Sequence, residues 1–268
     1  VRPLGIKHRK NEVFLDVVET VNLLVGQDGD TLHSEICGCL KMRVHLSGMP
    51  EVKLGLNDKL LFEALGKRAK GKTVDLDDIK FHQCVKLNRF ESDRTITFVP
   101  PEGDFELMAY RLNYKVRPLI HVEVQVVRHG TSRVEMHLKA KATFKKSSSA
   151  TNVEIVIPVP VDADTPSAKA NNGNVNYQPE REALVWTVKQ FPGGREFMCK
   201  CMYTLPSVRT SDPVAMSRKP IAVKFEVPYF TVSGFQVRYL KVTERSGYET
   251  NPWVRYITQS GEYQIRTS

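Results

Sequence analysis

Apolar and polar residues alternate strictly in many short runs along this chain, a pattern typical of strands with one buried face. Residues 133–141 and residues 221–227 are two clear cases. Similar runs occupy residues 96–99, 105–110, 121–127, 153–157, 184–188 and 235–242. Turn-forming sequences rich in glycine, proline and aspartate separate them. The pattern predicts an all-β fold of antiparallel β-sandwiches, and about fifteen strands exceed one immunoglobulin-like sandwich and fit two.

Two breaks in this pattern, near residues 113–115 and residues 229–231, suggest a division of the chain into three parts. If residues near the start of the chain and residues near its end together build one binding site, residues 1–115 and residues 231–268 belong to one subdomain. Residues 116–230 then form a second sandwich inserted into the first. No long amphipathic helix interrupts the predicted strands.

Composition argues against a membrane-spanning protein and narrows the possible partners. The chain has 268 residues and 41% hydrophobic residues, and no apolar run approaches the roughly 18 residues of a membrane-spanning helix. No signal peptide is apparent, and residues 1–5 look like the cut edge of a longer protein. The net charge of +9 is compatible with nucleic acid, an anionic membrane or an acidic peptide as partner. Because no RNA-binding signature is present, nucleic acid ranks last.

The cysteines show no metal-type spacing, so we expect reduced thiols on the strands of a cytosolic protein. They are Cys37, Cys39, Cys84, Cys199 and Cys201.

Two short segments at opposite ends of the chain each place an aromatic ring beside a charge. Phe14 and Asp16 are two residues apart near the start, and Trp253 and Arg255 are two apart near the end. Residues with this spacing share one face of a strand. If the fold joins the ends, two rings wall a slot with a carboxylate and a guanidinium at its floor. Such a slot suits a tyrosine side chain, which has an apolar body and a polar tip.

Residues 13–25 fit a strand and also a helix by periodicity alone. As a strand, its odd positions are apolar except for Glu19, which makes that face the buried one and places Phe14 on the more polar face. The many valines favour the strand. The alternative for Phe14 is packing under a neighbouring loop, the usual arrangement of an isolated phenylalanine near the surface.

Residues 66–73 match the phosphate-loop pattern GxxxxGK[ST]. That motif requires a helix beginning at its last residue, because the amide groups of the helix bind the phosphates. Residues 74–77 alternate like a strand instead and bring two carboxylates. We interpret the segment as a basic hairpin loop that matches by accident. A nucleotide-hydrolysing enzyme using this loop is the alternative function.

Other enzyme signatures are absent from the sequence, including GxSxG and HExxH. The seven histidines are scattered, and His82 and Cys84 lack a third orienting group. We therefore expect no catalytic residues, no metal site and no cofactor.

Basic residues cluster on one strand of the predicted inserted subdomain, in the loop that follows and at the start of the subdomain. They are Arg117, Arg133, His137, Lys139, Lys141, Lys145 and Lys146. For any single residue a solvated surface position is the simplest interpretation. As a group they can hold an acidic peptide or lipid headgroups, and each basic contact near an anionic membrane contributes about 1 kcal/mol.

Several segments together carry a resemblance to a known family. They are GIKHRKNEVFLDV (5–17), LSGMPE (46–51), GLNDK (55–59), FHQCV (81–85), FVPPEGDFELM (98–108), GFQVRYLKV (234–242) and WVRYI (253–257). With them the chain resembles, over nearly its whole length, the C-terminal domain of the medium (mu) subunit of clathrin adaptor complexes. Residues 152–155, 157–164 and 191–194 are more similar to the type-one adaptor of the trans-Golgi network and endosomes than to the plasma-membrane type.

The resemblance implies an elongated pair of immunoglobulin-like β-sandwich subdomains, one inserted into the other. It also implies recognition of cargo tails that bear tyrosine-x-x-bulky-hydrophobic signals. Carried over residue by residue, Phe14 and Trp253 flank the tyrosine ring, Asp16 and Arg255 meet its hydroxyl, and Arg43 lies nearby. The residues implied to line a second pocket, for the bulky hydrophobic side chain, are Val13, Leu15, Val237, Leu240 and Val254.

The resemblance further implies that Arg117, Lys141, Lys145 and Lys146 form a patch for acidic cargo clusters or lipid. Residues 169–177 are nearly uncharged where plasma-membrane relatives are rich in lysine, so strong phosphoinositide binding there is not expected.

The partners implied by the resemblance are cytosolic tails of membrane-protein cargo, two large and one small adaptor subunits, the clathrin coat, an Arf-family GTPase acting through the complex, and an anionic membrane surface. The implied location is the cytosolic face of the trans-Golgi network, endosomes and clathrin-coated vesicles. A further alternative is a domain that only assembles the coat and leaves its cargo slot unused.

Overall fold

The computed structural model describes residues 2–57, 76–93, 95–113, 115–130, 132–206 and 219–267. These ranges contain sixteen β-strands, one short α-helix and one turn of 3-10 helix, which confirms the predicted all-β fold. The phosphate-loop match at residues 66–73 lies outside the described residues. Within them, no helix is long and apolar enough to cross a membrane.

The strands are β1 (Glu12–Val25), β2 (Thr31–His45), β3 (Glu51–Leu56), β4 (Asp77–Phe81), β5 (Ile96–Phe98), β6 (Gly103–Leu112), β7 (Ile120–His129), β8 (Arg133–Ala142), β9 (Ser149–Pro158), β10 (Asp164–Ala170), β11 (Asn174–Gln178), β12 (Ala183–Pro192), β13 (Glu196–Thr204), β14 (Ile221–Pro228), β15 (Val237–Thr243) and β16 (Asn251–Ile265). Helix α1 spans Leu87–Asp93, and the 3-10 turn spans Pro179–Arg181.

All five cysteines are free thiols, and four of them lie on β2 and β13 as expected. Cys84 was expected on a strand and lies in a turn before α1. The turn is held locally, because the Cys84 backbone N–H donates to His82 Nδ1 at 3.2 Å.

The chain forms two compact units. The first contains Val1–Thr20, Ile36–Tyr114 and Tyr229–Thr258, and the second contains Val21–Glu35, Lys115–Pro228 and Gln259–Ser268. The divisions near residues 114 and 228 are close to the sequence-based breaks. Residues 21–35 and 259–268, however, belong to the second unit, because β1, β2 and β16 are long enough to contribute residues to both.

In the first unit, one sheet has the strand order β16-β1-β2-β6-β4 and a smaller sheet has the order β15-β3-β5. β2 and β6 pair antiparallel, with Arg43 opposite Asp104. The core contains the fully buried side chains of Leu15 on β1, Leu54 on β3 and Phe98 on β5.

The second unit has a four-stranded sheet with the order β10-β13-β8-β7. Its other strands follow the order β11-β12-β9-β14, next to the C-terminal end of β16. Trp186 on β12 is its largest fully buried side chain, and the indole N–H donates to Asn172 O at 2.8 Å.

Burial alternates along the whole of β1, which confirms the strand over the helix alternative for residues 13–25. The odd positions are buried, so Phe14 lies on the less buried face. Glu19 interrupts the apolar row and is nevertheless completely buried.

Four donors surround the Glu19 carboxyl group. Oε1 accepts from Tyr110 Oη at 2.9 Å and from Ser233 Oγ, and Oε2 accepts from the backbone N–H groups of Val232 at 2.8 Å and Ser233 at 3.1 Å. Tyr110 reaches this position because its ring lies against Gly38, its partner on β2, where a Cβ would be 1.9 Å from the ring. The network ties β1 to β6 and to the segment before β15, within the first unit.

We predict that Glu19→Ala lowers the free energy of unfolding by about 3 kcal/mol or more, because buried donors left without an acceptor cost about 1–3 kcal/mol each. Urea denaturation measures the change. Glu249→Ala, which removes an exposed glutamate of the same unit, is the control and should shift the value by less than about 0.5 kcal/mol. A loss in Glu19→Ala as small as that of the control would contradict the structural role.

Candidate functional site

The five residues expected to bind a tyrosine line one cavity of the first unit, with a volume of about 560 Å³. They are Phe14, Asp16, Arg43, Trp253 and Arg255. The sheet order β16-β1-β2-β6 explains their meeting, because adjacent strands bring together side chains that are far apart in the chain. Strand alternation then places them on the same, outer face. The other lining residues are Lys41, Met42, Asp104, Phe105 and Glu106.

Asp16 and Arg255 form a two-point ion pair at the cavity. Arg255 Nε donates to Asp16 Oδ1 at 2.7 Å, and Nη2 donates to Oδ2 at 2.6 Å. The hydrogen bonds from this guanidinium to Asp16 raise the pKa of Arg255 above its usual range. Each carboxylate oxygen has more than one acceptor position, so each can accept one more hydrogen bond from a ligand.

A second arginine–carboxylate pair lies across the same cavity. Arg43 Nε donates to Asp104 Oδ1 at 2.7 Å, and Nη2 lies 3.4 Å from Oδ2. This contact raises the pKa of Arg43 and lowers the pKa of Asp104. Because both side chains are well exposed, the pair contributes little to stability and mainly fixes the direction of the guanidinium.

The aromatic residues at the cavity have different exposure. Trp253 is 60% exposed, which is unusual for so large an apolar side chain, while Phe14 is half-buried. The cavity thus offers a ligand the apolar surface of Trp253 and Phe14, with charged side chains next to it.

The residues expected in a second pocket have unequal access to solvent. Val13 and Leu15 on the odd face of β1 have no exposed surface and belong to the core, and Leu240 is 8% exposed. Val237 and Val254 are half-buried. A ligand side chain can therefore touch Val237 and Val254 directly, whereas contact with Val13 and Leu15 requires displacement of the atoms that cover them.

The expected basic group, Arg117, Lys141, Lys145 and Lys146, is exposed on the second unit. Lys141 Nζ lies 2.9 Å from Glu196 Oε1, its neighbour on β13. Hydrogen bonding to Glu196 raises the pKa of Lys141, and the same contact lowers the pKa of Glu196. Lys141 is thus already paired with Glu196, and this pairing reduces the electrostatic attraction between Lys141 and an acidic ligand.

Comparison with known proteins identifies the family. The family model of the adaptor complexes medium subunit family matches residues 1–267. The chain belongs to this family. The AP-1 complex subunit mu-1-I of Caenorhabditis elegans is 59% identical over 265 residues, which are 99% of this chain and 62% of that protein. The AP-1 complex subunit mu of Dictyostelium discoideum is 58% identical over 270 residues, which are 100% of this chain and 63% of that protein.

This medium-subunit chain thus spans a little over three fifths of the length of these curated relatives. Among solved structures, the yeast delta-COP-I mu-homology domain matches 97% of this chain and 100% of its own, with a TM-score of 0.66 and 15% identity. The Danio rerio Fcho1 mu homology domain with bound Eps15 peptide matches 97% of this chain and 98% of its own, with a TM-score of 0.64 and 14% identity. At these identities the likeness supports the fold.

Sequence reasoning missed the β6 side of the cavity in this medium-subunit domain. Asp104 and Glu106 line it, opposite Arg43 and Lys41 on β2. The sequence does show two alternating strands, with basic residues on β2 and acidic residues on β6. The register that sets these charges opposite one another is not visible before the strands are paired.

We predict that Trp253 accounts for nearly all iodide-quenchable tryptophan fluorescence, because the chain has two tryptophans and Trp186 is fully buried. Trp253→Phe should remove most of the quenching and shift the remaining emission to shorter wavelength. Equal quenching in the variant and the parent protein would contradict the exposed position of Trp253.

Proposed function

We propose that this domain recognises tyrosine-x-x-bulky-hydrophobic signals in cytosolic tails of membrane-protein cargo, as a non-enzymatic module of a clathrin adaptor complex. The observation that carries the proposal is the cavity in which Phe14 and Trp253 stand beside the Asp16–Arg255 pair. A phenol has the matching chemistry, since its ring packs against aromatic side chains and its hydroxyl needs a polar partner.

In this proposal the tyrosine hydroxyl donates to an oxygen of Asp16 while Arg255 keeps its two hydrogen bonds to the same carboxylate. Arg255 holds Asp16 in a fixed orientation before the ligand arrives. Little side-chain entropy is then lost on binding, which favours affinity in a small site.

The edge of β16 supports an extended bound peptide. β14, the neighbour of β16 on one side, ends at Pro228, and the Tyr229 N–H donates to Tyr256 O at 2.7 Å. Tyr229 has a φ of 57°, a left-handed conformation that turns the chain at this point. Residues 251–255 extend beyond the end of β14, where a peptide strand can add to the sheet by main-chain hydrogen bonds. We expect micromolar affinity, about −8 kcal/mol, because a flexible peptide must be ordered.

The second specificity element of the proposal is the bulky hydrophobic residue of the signal. It would contact Val237 and Val254 first and reach Leu240, Leu15 and Val13 after local rearrangement. On the second unit, Lys145, Lys146 and Arg117 are the better candidates for acidic cargo or lipid, since Lys141 is paired with Glu196.

Family membership supports the proposed partners and location. They are the two large and one small adaptor subunits, the clathrin coat, an Arf-family GTPase acting through the complex and the anionic cytosolic surface of trans-Golgi network and endosomal membranes. The similarity to AP-1 mu subunits over essentially the whole chain supports the type-one assignment.

Two alternative functions make different predictions. A nucleotide-hydrolysing enzyme would bind ATP or GTP with magnesium at residues 66–73, and a titration of either nucleotide tests it directly. A domain used only for coat assembly would show no affinity for tyrosine-signal peptides.

We predict that Asp16→Ala weakens binding of a tyrosine-signal peptide by roughly 1.5–3 kcal/mol, because a hydrogen bond to a charged group is lost. Trp253→Ala should cost at least as much, since it removes one wall of the slot. Calorimetry with a short synthetic peptide measures both changes.

The matched control for these variants is Glu154→Ala, which breaks another exposed carboxylate–arginine pair, with Arg181 at 2.9 Å, on the second unit. This variant should bind the peptide like the parent protein. Unchanged affinity in both Asp16→Ala and Trp253→Ala would mean that the tyrosine binds elsewhere.

We predict that phosphorylation of the signal tyrosine weakens binding at least about a hundredfold, a cost near 2.7 kcal/mol. The added phosphate carries about −1.5 to −2 charge. It would face Asp16, and both nearby arginines already hold carboxylates. Calorimetry with paired phosphorylated and unmodified peptides measures the difference. Equal or tighter binding of the phosphopeptide would show that Asp16 does not contact the hydroxyl.

A further inference from the structure

Two histidines and a glutamate of the first unit meet at a place that the proposed function does not use. His8 precedes β1, His45 ends β2 and Glu102 comes just before β6. Their nearest nitrogen and oxygen atoms all lie within 4.8 Å of one another. His8 Nε2 is 2.8 Å from Glu102 Oε1, and His45 Nδ1 is 3.2 Å from the same oxygen.

The polar atoms of this cluster are not satisfied by protein hydrogen bonds alone. Among the described residues, His8 Nε2 is a buried atom without a hydrogen-bond partner, and the buried Glu102 Oε2 has an ion-pair contact with Arg2 but no hydrogen bond. His45 Nδ1 and Glu102 Oε1 are hydrogen-bonded to each other at 3.2 Å. His8 Nε2 is close to Glu102 Oε1, but the contact lacks the alignment of a hydrogen bond. A buried imidazole nitrogen without a partner is costly, and a bound cation would supply the missing interaction.

Arg2 holds the far side of the Glu102 carboxylate. Its guanidinium donates to the backbone oxygens of Gly48, at 2.9 Å, of Pro100, at 3.2 Å, and of Leu46, and lies 3.1 Å from Glu102 Oε2. Arg2 thus fixes the carboxylate through one oxygen and leaves Oε1 facing both imidazoles. Outer partners of this kind orient metal-binding carboxylates in many proteins.

From this geometry we infer that His8, His45 and Glu102 form a transition-metal site of the zinc type. Zinc binds imidazole nitrogen and carboxylate oxygen at about 2.0–2.2 Å, so two ligand atoms on one tetrahedral ion stand about 3.3 Å apart. The distances of 2.8 Å and 3.2 Å to Glu102 Oε1 are near this value, and all three ligand atoms lie within 4.8 Å of one another. Calcium and magnesium are disfavoured because they prefer oxygen ligands alone.

Access and charge agree with this assignment. The side chains of His8, His45 and Glu102 are 27%, 42% and 28% exposed, so the cluster borders solvent, and an ion reaches the buried His8 Nε2 by a local movement of that imidazole. The positive charge of the buried Arg2 cancels the negative charge of Glu102. The site therefore has little net negative charge to attract cations such as Ca²⁺ or Mg²⁺. Ions that bind neutral imidazole strongly are favoured instead.

The site lies beside the proposed peptide slot. His45 follows Arg43 by two residues on β2, so alternation places it on the outer face that carries the Arg43–Asp104 pair, and Glu102 precedes Asp104 by two residues in the chain. A bound ion would fasten the N-terminal segment with His8 to β2 and to the start of β6.

The test is a Zn²⁺ titration of the 268-residue chain against a chromophoric chelator, with Co²⁺ absorption as a second readout. We expect one ion per chain, a tetrahedral Co²⁺ spectrum and a higher thermal midpoint with Zn²⁺. His8→Phe, His45→Ala and Glu102→Gln should each weaken binding at least about tenfold. If Glu102→Gln does not fold, the Zn²⁺ affinity of His45→Ala still tests the site, because His45 is the most exposed of the three residues.

The matched control is His33→Ala, which removes an exposed histidine that is not a member of the cluster and should leave the affinity unchanged. No one-to-one binding by the parent chain, equal losses in His33→Ala and His45→Ala, or a thiolate-to-cobalt absorption band that assigns the ion to cysteine would each overturn the inference.

Discussion

Strand β1 has one buried face and one accessible face, and both the core and the candidate site of the first unit depend on this alternation. Val13, Leu15 and Val17 have no exposed surface, while Phe14 and Asp16 line the cavity. Because the side-chain period of a strand is two, a shift of one residue would exchange the faces and bury Asp16. Glu19 opposes such a shift, because its four donors satisfy a carboxyl group only when position 19 points inward.

The outer face of the β2–β6 pair carries successive cross-strand charge pairs. Lys41 stands opposite Glu106, and Arg43 stands opposite Asp104. Exposed pairs of this kind add little to stability, since solvent screens them. The Arg43–Asp104 contact fixes where these two groups point, and the cavity lining has as many basic as acidic side chains, so its net charge is small. A ligand that presents a neutral hydroxyl fits this arrangement better than one that brings its own charge.

Some features of the first unit could be predicted from the sequence, and others could not. The strand at residues 13–25, its buried face and the pairing of an aromatic ring with a charge follow from period-two alternation. The place of Cys84 in a turn does not, because it depends on which segments pack around it. Asp104 was missed for the same reason, since cross-strand register is a property of two segments and not of one.

The sequence by itself determined the all-β class, the family and the residues Phe14, Asp16, Trp253 and Arg255 as candidates, because local alternation and characteristic segments are written in the chain. Only the tertiary structure decided that these four side chains, with Arg43 and Asp104, share one cavity. It also decided that His8, His45 and Glu102 meet. The physical reason is that antiparallel pairing joins distant segments in one exact register, and that register depends on the core and the turns of the whole unit.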